Sequence, residues 1–192
     1  MRRNLTIACP YTVATTIMFG LVYPLIVTGL AQLLFKEKAN GQLITRDGQL
    51  VGSRLIGQSF SSARYFHSRP SAAGNGHDAA NSSGSNYGPT NQKLVDRIKG
   101  DALVAQTDQP GTDVPIDLVT ASASGLDPQI SPASADYQVA RVAKARGMSK
   151  DTVRALVAKN TERRQLGLLG EPRTNVLQLN LDLDEAQTHT VR

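Results

Sequence analysis

The sequence contains no tryptophan and a single cysteine, and its aromatic residues are limited to five tyrosines and four phenylalanines among 192 residues. Four of these, Tyr11, Phe19, Tyr23 and Phe35, fall inside one apolar segment near the N-terminus. The remainder is left with a thin, mostly aliphatic core of the kind that leans on a partner. The lone Cys9 excludes an internal disulfide and a cysteine-based zinc cluster, and a cysteine-free remainder suits the cytoplasm and the periplasm equally. A strong excess of one charge is also missing: 21 Lys and Arg face 16 Asp and Glu, and beyond the apolar segment residues 36–192 carry 19 against 16, an excess of +3 that is too mild to require an anionic partner. A chain of this length holds one compact domain and an appendage, which excludes a multi-domain ATPase or a polytopic channel.

Several catalytic signatures are absent. There is no Walker-type phosphate loop and no His-Glu-x-x-His zinc helix. The stretch Thr120-Ala121-Ser122-Ala123-Ser124-Gly125 lacks the first glycine of a Gly-x-Ser-x-Gly elbow. His67, His77 and His189 are scattered and read as surface or turn residues rather than metal ligands or bases. Nothing assembles a nucleophile, a base and an orienting acid. No metal site and no tightly bound cofactor are expected.

What is present begins with a membrane span. Tyr11 to Phe35 carries no charge, with Arg2 and Arg3 before it and Lys36, Glu37 and Lys38 after it. As a helix it is ~37 Å long, against a hydrocarbon core of ~30 Å. Gly29-Leu30-Ala31 could pass as a signal-peptidase site, but the apolar run exceeds the usual ~7–15 residues of a signal core and continues through Leu33, Leu34 and Phe35, which favours a retained anchor. Pro24 near its centre predicts a kink, because its ring presses on the carbonyl of Gly20. Gly20 and Gly29, with Thr16 and Thr28, offer small surfaces for close packing on partner helices. The basic residues on the two sides nearly balance, so charge leaves the orientation open, and one span encloses no pore. The expected organisation is a short tail (1–10), a transmembrane helix (11–35) and an α+β domain (36–192).

Within that domain, Leu43 to Val51 reads as a hairpin around Asp47-Gly48, and Leu55 to Phe60 is expected to extend the sheet. Residues 71–91, rich in Gly, Ser, Asn and Ala, read as a long loop that is mobile when free. Helix signals return at Asn91, with Thr90 or Asn91 as the cap and Leu94, Ile98, Ala102 and Ala105 on one face. Val114 to Val119 is expected as a strand. Ser131-Pro132 starts a helix that Gly147 ends, and Ser149 caps another. Leu177, Leu179, Leu181 and Leu183 alternate with polar residues and predict a strand with one buried face. Hairpins and helices without βαβ alternation give an α+β class. The helix pair over 132–159 also matches a helix-turn-helix: eight basic residues lie between Arg141 and Arg164, opposed by Asp151 and Glu162. A membrane-tethered DNA-binding regulator is therefore the alternative reading of function.

Longer blocks weigh against it. Gly20-Leu21-Val22-Tyr23-Pro24-Leu25 in the span is followed by Gly52 to Phe60, Tyr65-Phe66-His67-Ser68-Arg69-Pro70-Ser71-Ala72 and Ser83-Gly84-Ser85-Asn86. Then come Asp117 to Pro128, Ile130-Ser131-Pro132, Gly170-Glu171-Pro172-Arg173 and Asn175 to Asn180. In this order, over nearly the whole length, the chain resembles the KdpC family, the C subunits of bacterial Kdp potassium-transporting P-type ATPases. The helix-turn-helix pair belongs to the same family pattern, so nucleic acid drops out as an expected partner.

The resemblance implies an accessory subunit of the bacterial inner membrane, single-pass, with a cytoplasmic N-terminus and an extracytoplasmic domain. Its implied partners are a potassium channel-like subunit, a P-type ATP-hydrolysing subunit and a small single-span subunit. The chain has no Asp-Lys-Thr-Gly-Thr phosphorylation sequence, in keeping with a non-catalytic role. The family is also proposed to act as a catalytic chaperone that raises ATP affinity, in part through a glycine-rich nucleotide contact. That contact maps onto Ser83, Gly84, Ser85 and Asn86, with ATP reached through the complex. The stretch departs from the pattern, with one glycine where a pair is expected and no glutamine at its end, and an extracytoplasmic domain does not meet cytoplasmic ATP. The rival is a structural cap on the channel-like subunit. Ser122, Ser124 and Asp127 offer oxygens that either hold a cation or shape a loop, and Asp127-Pro128 favours the loop.

Overall fold

The computed structural model describes residues 2–190. It separates into two compact units, the first ending at Val51 and the second beginning at Gly52.

In the first unit, α1 (Arg2–Ile17), a π-helical stretch (Met18–Val22) and α2 (Tyr23–Leu34) run on as one helix of 33 residues, none of it buried. It is the one helix among the described residues long and apolar enough to cross a membrane. The expected disturbance at Pro24 takes the form of a π-helical stretch that contains Gly20 and ends just before Tyr23-Pro24. A proline ring clashes with the carbonyl four residues back, and the wider π turn makes room for it. A short α3 (Lys36–Ala39) follows, and β1 (Leu43–Arg46) and β2 (Gln49–Ser53), whose last two residues already belong to the second unit, form the expected hairpin. Its two turn residues, Asp47 and Gly48, both have positive φ, 51° and 77°, as a tight hairpin turn requires.

The second unit is α+β. Its sheet has three short strands in the order β3 (Gln129–Ile130), β5 (Arg173–Asn175), β4 (Thr161–Glu162), all antiparallel. Three helices supply most of the core: α5 (Pro132–Arg146), α6 (Lys150–Lys159) and α7 (Val176–Thr190). Ser131 caps α5 by accepting from Ser134 N at 3.2 Å, and Ser149 caps α6 by accepting from Thr152 N at 3.0 Å. Val139, Val142 and Ala143 of α5 meet Val153 and Val157 of α6 and Val176, Leu179 and Leu183 of α7. Phe66, Ile130 and Ala135 complete this cluster. A further helix, α4 (Gln92–Gln106), is capped by Asn91 and half-buries Leu94, Ile98, Ala102 and Ala105 as its spacing predicts.

Three expected strands are not strands. Leu55 to Phe60 is irregular: Ser53 Oγ accepts from Leu55 N, and Gly57 N donates to Leu126 O rather than to a sheet neighbour. Val114 to Val119 contains a 3-10 turn over Ile116–Leu118, with Ile116 exposed. Its Asp117 Oδ2 instead accepts from Ser131 N at 2.8 Å and Ser134 Oγ at 3.2 Å, locking the start of α5.

The third correction is the largest. The leucine alternation from Leu177 to Leu183 lies on α7, not on a strand. Asn175 Oδ1 accepts from Gln178 N at 3.0 Å and opens the helix. Leucine, glutamine and glutamate are helix formers, whereas β-branched residues are nearly absent from the run. Val176, Leu179, Asn180 and Leu183 form the i, i+3, i+4, i+7 stripe that faces inward. Asn180 belongs to this stripe because its side-chain amide pairs with the backbone of Phe66 in both directions: Phe66 N donates to Asn180 Oδ1 at 2.9 Å and Asn180 Nδ2 donates to Phe66 O at 3.0 Å.

This placement distinguishes helix from strand. In a half-buried strand Asn180 would face solvent and Asn180→Leu would be harmless. Here it strands two buried backbone groups, each costing about 1–3 kcal/mol, so Asn180→Leu is expected to destabilise the chain by about 2–4 kcal/mol despite its added apolar surface. Chemical denaturation in detergent micelles, followed by far-UV circular dichroism, reads the shift. An unchanged midpoint would contradict the helical placement of Asn180.

Candidate functional site

The site is built from irregular chain held by helical side chains. Residues 62–65 form a turn closed by Tyr65 N on Ser62 O at 3.1 Å, and Phe66 and His67, which follow it, belong to no helix or strand. Beside the Asn180 pair, His67 N donates to Gln138 Oε1 at 2.8 Å and Gln138 Nε2 donates to His67 O at 3.1 Å. Asn180 and Gln138 are 1% and 2% exposed, so both amides act where water does not compete. Arg141 Nη1 donates to the carbonyls of Ala63 and Tyr65, and Arg146 Nε donates to that of Arg64. The Arg146 guanidinium also lies 4.8 Å from the centroid of the Tyr65 ring and pairs with Asp184 at 2.9 Å.

Downstream of this clamp, three loops meet. Arg69 Nη1 pairs with Asp127 Oδ2 at 3.1 Å. Ser71 Oγ donates to Gly125 O at 2.6 Å and accepts from Ala73 N and His77 N. Ser83 N donates to Ser124 O at 3.0 Å, and Ser82 Oγ donates to the same carbonyl. Gly125 has φ 68°, and a Cβ there would stand 2.6 Å from Ser83 O and 2.7 Å from Ala73 N. A Cβ on Gly84 would stand 2.7 Å from Ala123 O. Both contacts are with backbone, so only glycine fits at this crossing.

This geometry places the residues singled out from the sequence. Ser83 and Gly84 sit in the three-loop crossing, with the Ser83 amide taken by Ser124 and its hydroxyl donating to Ala72 O and Gly84 O. Ser85 follows, half-buried, and Asn86 is exposed with φ 53°. Asp127 spends one oxygen on Arg69 and the other on Gln129 N, and Ser124 Oγ accepts from Leu126 N. Gly20, Pro24 and Gly29 lie on the long helix: Gly20 has only Thr16 nearby, at 3.9 Å, and Gly29 has nothing within 4 Å. His189 falls outside the described side chains.

Four cations of the basic helix pair are matched by carboxylates. Arg141 pairs with Asp108 at 2.7 Å, Arg154 with Asp136 at 2.8 Å and Lys159 with Asp182 at 2.9 Å, besides Arg146 with Asp184. Phosphate contacts need free cations, so these four pairs weaken the electrostatic case for the helix-turn-helix reading, with Lys144 and Lys150 left exposed.

Between the clamp, α4 and α5 lies a cleft of about 460 Å³, lined by His67, Ser68, His77, Asp108, Tyr137 and Arg141 among others. Ser68 Oγ and His77 Nε2 are 2.8 Å apart, but among the described residues no carboxylate hydrogen-bonds to the imidazole, which falls short of a triad. Burial, aided by the charge of Arg141, lowers the pKa of His67 against the opposing pull of the Ser62 carbonyl and Asp108. Burial also lowers that of His77 against the Arg69 carbonyl. Asp117 is pushed up by burial, but its hydrogen bonds from Ser131 and Ser134, with Arg69 nearby, hold it below the usual carboxylate range. Reasoning from sequence missed Gln138, Asn180, Arg141 and Arg146. Their signal was a polar residue on an otherwise apolar helical stripe, visible for Asn180 only once α7 is recognised as a helix.

A small α+β unit carried with one helix long and apolar enough to cross a membrane has the make-up of a membrane-associated protein. The KdpC family model, described as K+-transporting ATPase, c chain, matches residues 5–185. The chain is 60% identical over 187 residues to a protein of Koribacter versatilis named potassium-transporting ATPase KdpC subunit, covering 97% of each. Proteins of the same name from Acidobacterium capsulatum and Rhodospirillum rubrum are 57% and 56% identical, over 95% and 96% of this chain and 98% and 97% of their own lengths. The chain belongs to the KdpC family.

The two cleft histidines predict a pH dependence. Their folded pKa values lie below the ordinary ~6.5, so the unfolded chain takes up protons first as pH falls. Their contribution to stability is complete above that value and declines below it, toward their folded pKa values. The denaturation midpoint should fall between pH 7.5 and pH 5.5, and the paired substitution His67→Gln with His77→Gln should shrink that difference. An equal drop in the paired variant would contradict the assignment.

Proposed function

We propose that this chain is the non-catalytic, single-pass accessory subunit of an ATP-driven potassium uptake complex. Its partners are a potassium channel-like subunit, a P-type ATP-hydrolysing subunit and a small single-span subunit. Family membership over residues 5–185 carries the reading. The rest of the chain agrees with it. No Asp-Lys-Thr-Gly-Thr sequence is present, and the polar side chains of the second unit hold its own loops in place. The long helix has no internal packing, and its open faces at Gly20 and Gly29 suit close contact with partner helices.

In this reading the N-terminus is cytoplasmic, the α+β unit is extracytoplasmic, and the subunit acts in assembly and stability of the complex, as a cap on the channel-like subunit. A gain in ATP affinity of the ATP-hydrolysing subunit then passes through the assembled complex. The Ser83–Asn86 stretch serves its own fold in this view: its amide at Ser83 is already bonded and its glycine is packed against Ala123 O.

The test is extraction in mild detergent with an affinity tag after Arg192, together with an alkaline phosphatase fusion at the same point. The tagged chain should bring down a P-type ATPase and a channel-like subunit, and the fusion should be active outside the cytoplasm. Recovery as a lone monomer would overturn the subunit reading, and a fusion inactive outside the cytoplasm would overturn the cap.

A further inference from the structure

Residues 163–171 join β4 to β5 as a raised finger. Gln165 and Leu169 bond in both directions, N to O, at 2.8 and 2.9 Å, and Leu166 and Gly167 turn the tip with φ 53° and 76°. Leucine rarely adopts that conformation. The tip presents three leucines to solvent: Leu166 is 90% exposed, Leu168 81% and Leu169 59%. The root is braced by Arg164 on Glu171 at 2.6 Å and Arg173 on Glu162 at 3.0 Å. Among the described residues these pairs leave Arg163 as the finger's unpaired cation.

A strained, pre-ordered turn that shows leucines to water has little to recommend it in a lone domain, whereas it lowers the ordering cost of binding. Two occupants are conceivable, a bilayer and a protein. Interfacial insertion favours aromatic residues beside an excess of cations. This finger has no aromatic residue, and of its two arginines Arg164 is neutralised by Glu171, while Arg173 just beyond it is neutralised by Glu162. One free arginine beside a rigid apolar tip instead complements an apolar recess with a carboxylate on its rim.

We infer that the 163–171 finger is a docking element that seats Leu166 and Leu168 in an apolar, acid-rimmed recess of another subunit of the complex. The inference rests on the subunit reading above.

The test uses the full chain with Cys9→Ser and Leu168→Cys, labelled with an environment-sensitive fluorophore. It is compared alone in nanodiscs of mixed neutral and anionic lipid and in the purified complex. The label should stay exposed to iodide in the lone chain, with no quenching by spin-labelled lipid, and should blue-shift and gain protection on assembly. Quenching by spin-labelled lipid in the lone chain would make the bilayer the occupant and overturn the inference. An iodide-accessible label in an intact complex would overturn it too, while leaving the subunit reading standing. If the unlabelled wild-type chain brings down no partner, the subunit reading itself has failed. As a second measure, Leu166→Ser with Leu168→Ser should leave the melting curve of the chain unchanged and lower recovery of the complex by about tenfold or more, the scale of a buried leucine. Undiminished recovery would contradict the docking role.

Discussion

Two buried side-chain amides hold the second unit together. Asn180 and Gln138 each donate to and accept from one residue of an irregular segment, Phe66 and His67, and so stand in for the secondary-structure partner that this segment lacks. Backbone buried without partners is costly, and a segment running beneath two helices has no water to turn to. Four hydrogen bonds satisfy it and also fix its register, which sets Phe66 at 0% exposure in a core otherwise made largely of valine, leucine and alanine. Everything downstream inherits that register: Ser68 at the cleft, Arg69 on Asp127 and Ser71 on Gly125.

Charge is used in the same way. Arg141 and Arg146 reach carbonyls of residues 63–65 while paired to Asp108 and Asp184. A helix pair that looks nucleic-acid-binding by composition is therefore a bracket for a loop. The three-loop crossing follows suit, since Asp127, Ser124 and Ser83 spend their polar atoms on one another's chains. This is the chemistry of a rigid scaffold.

Much of the fold could be read locally. Asp47-Gly48 encodes its turn, and Asn91, Ser131 and Ser149 encode their helix starts, because each is decided within four residues. The failures have physical causes. Along α7 a two-residue alternation of leucines coincides with a helical stripe, and the buried Asn180 disguised itself as a solvent-facing strand residue. Val114 to Val119 has a strand's composition, yet Asp117 is drawn inward by Ser131 and Ser134. The clamp and the crossing were out of reach, because their partners lie 114 residues apart for Phe66 and Asn180 and 58 apart for Arg69 and Asp127. The family blocks marked these segments as belonging together without saying that they touch.

The amide clamp is most directly tested by hydrogen exchange of the full chain in detergent micelles, resolved at single residues. The Phe66 and His67 amides should exchange as slowly as the core amides of α7, opening only with global unfolding, although they belong to no helix or strand. Exchange as fast as that of exposed loop amides such as Asn86 would mean that the side-chain amides do not hold the segment, and would contradict the clamp on which the rest of the unit depends.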